Sequence, residues 1–449
     1  MLFSERLGDN NHRFIDKLLC YDFFIVCVLF SVLFCVYSYS KVITSSDSMW
    51  SIFVARSIIN DGDSNLREYL PQIRHHKRFG VEKYKQGFYN FFPPGPSLFA
   101  VPFVALYERC PADWIINIPG FEKASAVIKA HPNNAIYIRH ELERFVASII
   151  TATTAVLLYL IARNYSGLIT SLFIATLYGL ATPAWSTTSR ALWQHAPSAF
   201  LLTTTLMLFI TSKTRHVLAG FSGVLLMFAY VVRPTNLLSI LVWAVLIYRH
   251  RRSGFWLYCL TILGCGAIFC FWSKSVFGTM LPKYFHPGRG GTNPDFIMAI
   301  AANLFSPSRG LFIFSPWLLL SFWSFFPNSS LKVPEIIPYL WSIIILHLLV
   351  VSSFGVWWGG HSYGPRFMSD IVPFLSLLTL PLISDILSRS YHYWKTGLIS
   401  FVATGVISLW IHAKGAMSVA GVGWNVTPHN IDNLPMRVWD WYDPQWLRD

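Results

Sequence analysis

The sequence predicts an all-α, polytopic membrane protein of about eleven transmembrane helices, with a long first outer loop that carries interfacial helices. Three observations lead there. Apolar runs of about twenty residues recur along the 449-residue chain, the length that crosses a bilayer as a helix. Hydrophobic residues make up 54% and charged residues only 13%, about half the charge of a soluble domain. The short connections between alternate runs are basic on one side, as cytoplasmic loops are.

In chain order the predicted spans are 18–43, 141–162, 167–185, 192–212, 216–232, 236–248, 255–277, 311–327, 336–356, 366–387 and 395–413. With the N-terminus cytoplasmic, the inner segments carry Arg6, Arg13 and Lys17, then Arg163, Lys213, Arg215, Arg249, Arg251, Arg252, Lys332, Arg389 and Lys395. This pattern fixes the predicted orientation through the positive-inside rule. The first run is too long for the core of a cleaved signal peptide and is read as a retained span. The membrane domain covers 1–413, with outer loops at 44–140 and 278–310, and 414–449 forms an extracytoplasmic tail. The stretch "FFPPGPSLFAVPFVAL" (91–106) is short and broken by Pro93, Pro94, Pro96 and Pro102, so it reads as a re-entrant or interfacial element.

The formal charge of +13 is assigned to loop anchoring and to anionic lipid or phosphate, with no nucleic-acid partner. The seven cysteines lie mostly inside apolar runs and read as small buried hydrophobes. Polar constellations gather on the outer edges: "STTSRALWQHAP", "VVRPTN", "FSPSRGLFIFSP" and "WWGGHSYGPRFMSDIVPF". Each holds one arginine, namely Arg190, Arg233, Arg309 and Arg366. A lipid-linked phosphate would suit all four, because guanidinium binds phosphate bidentately; carboxylate partners or lipid headgroups are the plain alternative. Lys283 joins the phosphate-binding set from a glycine-bearing loop, "LPKYFHPGRGG".

Asp47, in "TSSDSMW", stands where the first run ends, as either a helix cap or a catalytic carboxylate. Trp193, His195, Tyr284, His361 and Tyr363 are candidate substrate contacts, against ordinary interfacial placement. "DGD" at Asp61 and Asp63 is either a turn or a divalent-metal site. The tail tryptophans Trp424, Trp439, Trp441 and Trp446 suit sugar stacking or lipid anchoring equally. Asn425-Val-Thr matches a glycosylation acceptor by pattern alone.

The order of a first span, "SSDSMW", and a long outer loop with "FFPPGPSLFA" resembles the GT-C glycosyltransferases. These include the protein O-mannosyltransferases and the lipid A aminoarabinose transferases. "IRHELERFVASIITATTAVLLYLIARNYSG" looks like the second span of that family, and "FSPSRGLFIFSP" and "SYGPRFMSDIVPF" look like segments of its less characterised bacterial members. The likeness covers most of residues 15–390. Many members carry an Asp-Glu pair where this chain has Asp47 followed by Ser48, which leaves the role of a second carboxylate open.

The resemblance implies a sugar moved from a polyprenyl-phosphate donor to a hydroxyl of a glycan, lipid or protein outside the inner (cell) membrane. Asp47 would be general base, and no cofactor is required. A phosphate leaving group neutralised by cations needs no general acid, so one carboxylate suffices and the anomeric centre inverts. The competing classes are a transporter or flippase of lipid-linked sugars and an O-antigen polymerase or ligase. A transporter should show ionisable residues midway through its spans and repeated halves; few such residues and no halves are evident.

Overall fold

The computed structural model describes residues 22–85, 87–110, 125–131, 134–326, 335–390 and 392–448. Arg6, Arg13, Lys17 and Lys332 lie outside them. Long unbroken apolar runs become helices because only a helix satisfies every backbone group within one segment. Among the described residues, five helices are long and apolar enough to cross a membrane: Asp22–Tyr39, Arg139–Arg163, Arg252–Phe277, Arg366–Leu387 and Trp394–Met417. Shorter apolar helices, among them Leu168–Leu180, His195–Thr211, His216–Val232 and Ile337–Ser352, pack between them. The protein is therefore an all-α molecule built for a membrane.

Burial separates centre from periphery. The most apolar stretches of Arg139–Arg163 and Arg366–Leu387 are 72% and 89% buried, against 17% for Arg252–Phe277 and 22% for Asp22–Tyr39. The outer helices turn Phe23, Trp256, Phe271 and Ile399 outward, as lipid-facing surfaces do. The two central helices bring together the segments that carry the polar motifs.

The predicted span at 311–327 holds no α-helix longer than four residues among its described residues. Within 311–327 the chain forms a four-residue helix, Leu311–Phe314, then a 3-10 helix, Pro316–Phe325. Pro316 cannot donate a backbone hydrogen bond, and Ser315 leaves helical geometry before it. The more extended 3-10 rise, about 2 Å per residue, still lets ten residues reach about 20 Å.

The segment predicted as the first outer loop is ordered around Ser51–Asn60, which packs on Gly95–Arg109. The predicted interfacial element at 91–106 is thus a 15-residue helix with Pro102 inside it, about 22 Å long and short of the ~30 Å hydrocarbon core. A small antiparallel hairpin, Val81–Tyr84 with Gly87–Asn90, was not predicted; Val81 pairs with Asn90 and Tyr84 with Gly87. The C-terminal tail docks back through two 3-10 turns, Pro435–Trp439 and Gln445–Leu447.

Candidate functional site

Asp47 lies in a turn between the end of Asp22–Tyr39 and the start of Ser51–Asn60. The N-cap of the latter helix is Trp50, and no side chain caps it. The helix-cap explanation of Asp47 is therefore removed. Its carboxylate instead accepts a hydrogen bond from Arg366 Nη2 in a close ion pair across the molecule.

Arg366 is fixed from several sides. It follows Pro365 at the start of the 3-10 turn Arg366–Ile371, which leads into a central helix. Its guanidinium lies 4.2 Å from the Trp193 ring centroid and 5.6 Å from that of Phe367. Its Nε donates to His195 Nε2 at 3.2 Å. An acceptor role for Nε2 places the ring proton on Nδ1, which donates to Asp370 Oδ2 at 2.9 Å. Arg233 Nη1 pairs with the same Asp370 oxygen, and His347 Nε2 donates to Phe367 O at 2.8 Å.

The result is a chain of alternating charge running inward: Asp47, Arg366, His195, Asp370, Arg233. Side-chain exposure falls along it, from 24% at Asp47 and 11% at Arg366 to 4% at Arg233 and zero at Asp370. Only the Asp47–Arg366 end meets the outside. Two carboxylates and two guanidiniums balance, which lets so much charge lie inside a largely apolar bundle.

A second carboxylate stands beside Asp47, and reasoning from sequence missed it. Glu143, in the first turns of Arg139–Arg163, is fully buried. It accepts from Ser48 Oγ at 2.5 Å and from Ser45 Oγ at 3.0 and 3.1 Å. These serines bracket Asp47, and Arg139 Nη1 adds a bond to Met49 O at 3.2 Å. The one signal was the charge-dense "RHELER" opening an otherwise apolar helix.

The remaining predicted residues occupy other settings. Arg190 is fully buried and donates to Tyr37 O at 2.7 Å and Ser40 O at 3.4 Å, satisfying carbonyls at the end of the first helix. Burial, reinforced by Arg144, pushes its pKa down to about 9, still above neutrality. Arg309 spends all five donors inside the protein, on Trp358 O, Ser308 O, Gly360 O, Gln445 Oε1 and Asn425 Oδ1, at 2.6 to 3.0 Å. It ties the tail to the 306–310 and 358–360 loops. Lysine has three donors and no planar fork, so Arg309→Lys loses at least two of these five hydrogen bonds. That change is expected to cost at least about 2 kcal/mol and to speed proteolysis of the 418–448 tail. Tail cleavage at the parental rate would show that the cluster holds nothing.

Lys283 is 65% exposed and pairs with Glu82 Oε1 at 3.2 Å. Tyr284 accepts from Gln194 Nε2 at 3.0 Å and packs edge-on against Phe91, near the site but not in the charge chain. Tyr363 is buried, donates to Ile411 O at 2.8 Å, and is gripped by Gly415 and Gly421, where a Cβ would fall 2.1 and 2.6 Å from its ring. It positions the loop before Arg366. His361 meets Asn430 and Asp432 of the tail at 3.0 and 3.2 Å. Asp61 and Asp63 form an exposed turn, with Gly62 at φ 72° and Asp63 Oδ1 accepting from the Asn65 N–H at 2.8 Å. Among the described residues no group of three or more His, Cys, Asp or Glu converges as metal ligands would. Asn425 is wholly buried and bonded to Arg309 and Ser362, so its glycosylation pattern is not on the surface. Trp424 is buried under Arg309 and Arg437, while Trp441 is exposed.

No protein-family model matches the chain, and no curated protein matches it either.

Proposed function

We propose that the protein is a membrane-embedded group-transfer enzyme acting at the end of the bundle where Asp47 lies. More particularly, it is a glycosyltransferase of the GT-C type. It moves a sugar from polyprenyl phosphate to a hydroxyl of a glycan, lipid or protein outside the cell membrane. In this reading the chain crosses the membrane about eleven times with its N-terminus cytoplasmic, and no metal is required. The observation that carries the proposal is the Asp47–Arg366 pair, a half-open carboxylate and guanidinium at the mouth of an otherwise buried charge network.

The pair suits an exchange of partners. The donor's phosphate takes the place of the Asp47 carboxylate on Arg366, whose orientation is held by His195 and Trp193. Asp47, released, accepts the proton of the acceptor hydroxyl as its oxygen attacks the anomeric carbon. The bond from that carbon to the phosphate oxygen breaks, and polyprenyl phosphate leaves with its charge met by Arg366. One displacement inverts the centre. Glu143 holds Ser45 and Ser48, and through them the turn that aims Asp47. Arg233 is committed to Asp370, so it supports the clamp through His195.

A charge-assisted hydrogen bond is worth about 1.5–3 kcal/mol, so Arg366→Ala is expected to raise the donor KM roughly 10- to 100-fold. The measurement is transfer from a labelled polyprenyl-phosphate sugar in membranes holding equal amounts of each protein. A donor KM unchanged by the substitution would remove the clamp from the mechanism. One observation favours a second reading: the ionisable chain continues inward to Asp370 and His347, as a proton path in a lipid-linked-sugar transporter would. Donor flipping without sugar transfer in sealed vesicles would establish that reading in place of the first.

A further inference from the structure

The segment 74–85, "RHHKRFGVEKYK", places Arg74, Lys77, Arg78, Lys83 and Lys85 on the side assigned to the outside, where positive charge is not the rule. All of them are exposed, and Phe79 in their midst is 50% exposed. Among the described residues none of these cations has a carboxylate partner. Glu82, the carboxylate inside the segment, is taken by Lys283 at 3.2 Å and by the Tyr84 hydroxyl. Asp63, upstream, accepts from the N–H of Asn65.

The backbone holds these charges in a fixed array. Lys77 and Arg78 both take the left-handed conformation, φ 51° and 59°, which residues other than glycine adopt rarely. Bonds from Lys77 N to Arg74 O, Arg78 N to Ile73 O and Phe79 N to His76 O, at 2.9 to 3.0 Å, close the turn. The chain then enters the hairpin of Val81–Tyr84 and Gly87–Asn90, which carries Lys83 on a strand and Lys85 at its turn.

This basic ridge is tied to the turn that bears Asp47. Trp50 Nε1 donates to Phe79 O at 2.7 Å, and the Trp50 ring stands edge-on to His76 with centroids 6.0 Å apart. Arg139 bridges the two, with Nη1 donating to Met49 O at 3.2 Å and Nη2 to His76 Nε2 at 3.4 Å. Met49 is two residues from Asp47, so the bridge lies within about 7 Å of chain from the carboxylate's own Cα. Asp47 is thus linked to two groups of cations, to Arg366 by its side chain and to the ridge through its turn.

Exposed, without countercharge and held beside the candidate base, the ridge calls for an anion that arrives from water. We propose, resting on the transfer reading above, that the acceptor itself is anionic: it carries phosphate or carboxylate groups that the ridge holds while its hydroxyl reaches Asp47. Donor phosphate and acceptor anion then use separate cations, Arg366 for the one and the ridge for the other, and do not compete. Phe79 adds an apolar face on which a sugar ring can stack.

The test has two arms. In the first, the full chain in phosphatidylcholine nanodiscs is titrated with fluorescent oligogalacturonate and with phosphorylated oligomannose, neutral oligomannose serving as the control. Both anionic probes are expected to bind, less tightly as salt is raised, and the neutral one is not. Lys77→Asn with Arg78→Asn keeps side chains that tolerate a left-handed backbone, and should weaken binding roughly 10- to 30-fold. Lys83→Thr, on the hairpin, should weaken it roughly three- to fivefold. Equal binding of the neutral probe, or binding unchanged in both variants, would overturn the ridge as an anion surface. Binding lost when phosphatidylglycerol replaces phosphatidylcholine would place the ridge on lipid headgroups and overturn the acceptor role.

The second arm supplies native membranes with labelled polyprenyl-phosphate sugar. The labelled product, freed of donor, is expected to be retained on an anion exchanger, and the double variant should form it roughly five- to tenfold more slowly at a level donor KM. A neutral product would overturn the anionic acceptor even where the ridge binds the probes. Absence of any labelled product would overturn the transfer reading and the acceptor role with it, while the first arm still decides whether the ridge binds anions.

Discussion

Asp47→Asn is expected to lower the turnover of sugar transfer by about 10²–10⁴-fold, the usual range for loss of a positioned general base. Asparagine has the same shape and can still accept a hydrogen bond from Arg366, so the turn and the fold persist. What it lacks is the capacity to take a proton. It also lacks the charge that competes with phosphate for Arg366, so the donor KM is expected to stay level or fall while kcat collapses. That split separates a base from a structural partner, because mere disruption of the Arg366 setting would raise KM. Glu143→Gln, which can still accept from Ser45 and Ser48, is the internal comparison and should cost far less. Steady-state transfer with labelled donor gives both constants. Undiminished kcat in Asp47→Asn would end the assignment of the base.

The second large effect is on stability. Asp370 has no exposed surface, and it is the sole carboxylate against Arg233 among the described ion pairs. Asp370→Ala leaves a guanidinium buried at 4% exposure without its countercharge, a change that costs about 3–5 kcal/mol in comparable buried pairs. His195 Nδ1 loses its acceptor in the same step, so the ring that holds Arg366 is no longer fixed. The variant is expected to accumulate poorly in membranes and to unfold several degrees lower in detergent. Replacing both partners, Asp370→Leu with Arg233→Met, removes the buried charges together and should recover most of that loss while leaving transfer impaired. Thermal midpoints of the two variants decide the matter. A single variant as stable as the parent would show that Arg233 has another counterion.

Much of the architecture was legible because it is a local property. Apolar runs such as 141–162 and 255–277 leave the backbone no option in lipid except a helix, and Arg139–Arg163 and Phe255–Phe277 follow those limits closely. The 3-10 geometry of Pro316–Phe325 was also written locally, in Pro316, but hydropathy alone does not distinguish an α-helix from a 3-10 helix. The hairpin at 81–90 has no alternating pattern strong enough to announce itself, since its strands are four residues each.

The site was less legible. Four arginines in four similar motifs read alike, yet they have four different settings. Arg190 answers carbonyls of the first helix, Arg309 answers five acceptors around the tail, Arg233 answers Asp370, and Arg366 answers Asp47. A sequence shows that a cation sits at the edge of a span; it does not show what solvates that cation, and in a buried setting the solvating partner decides its role. Glu143 meets Ser45 and Ser48, on either side of Asp47, although it lies in a separate helix. The sequence by itself determined the class of molecule and the end of the bundle where its unusual polar residues collect, because hydrophobic length and charge placement act segment by segment. Only the tertiary structure decided which of those residues stand together and which are already satisfied, because each hydrogen bond of a buried charge is a contact between distant parts of the chain.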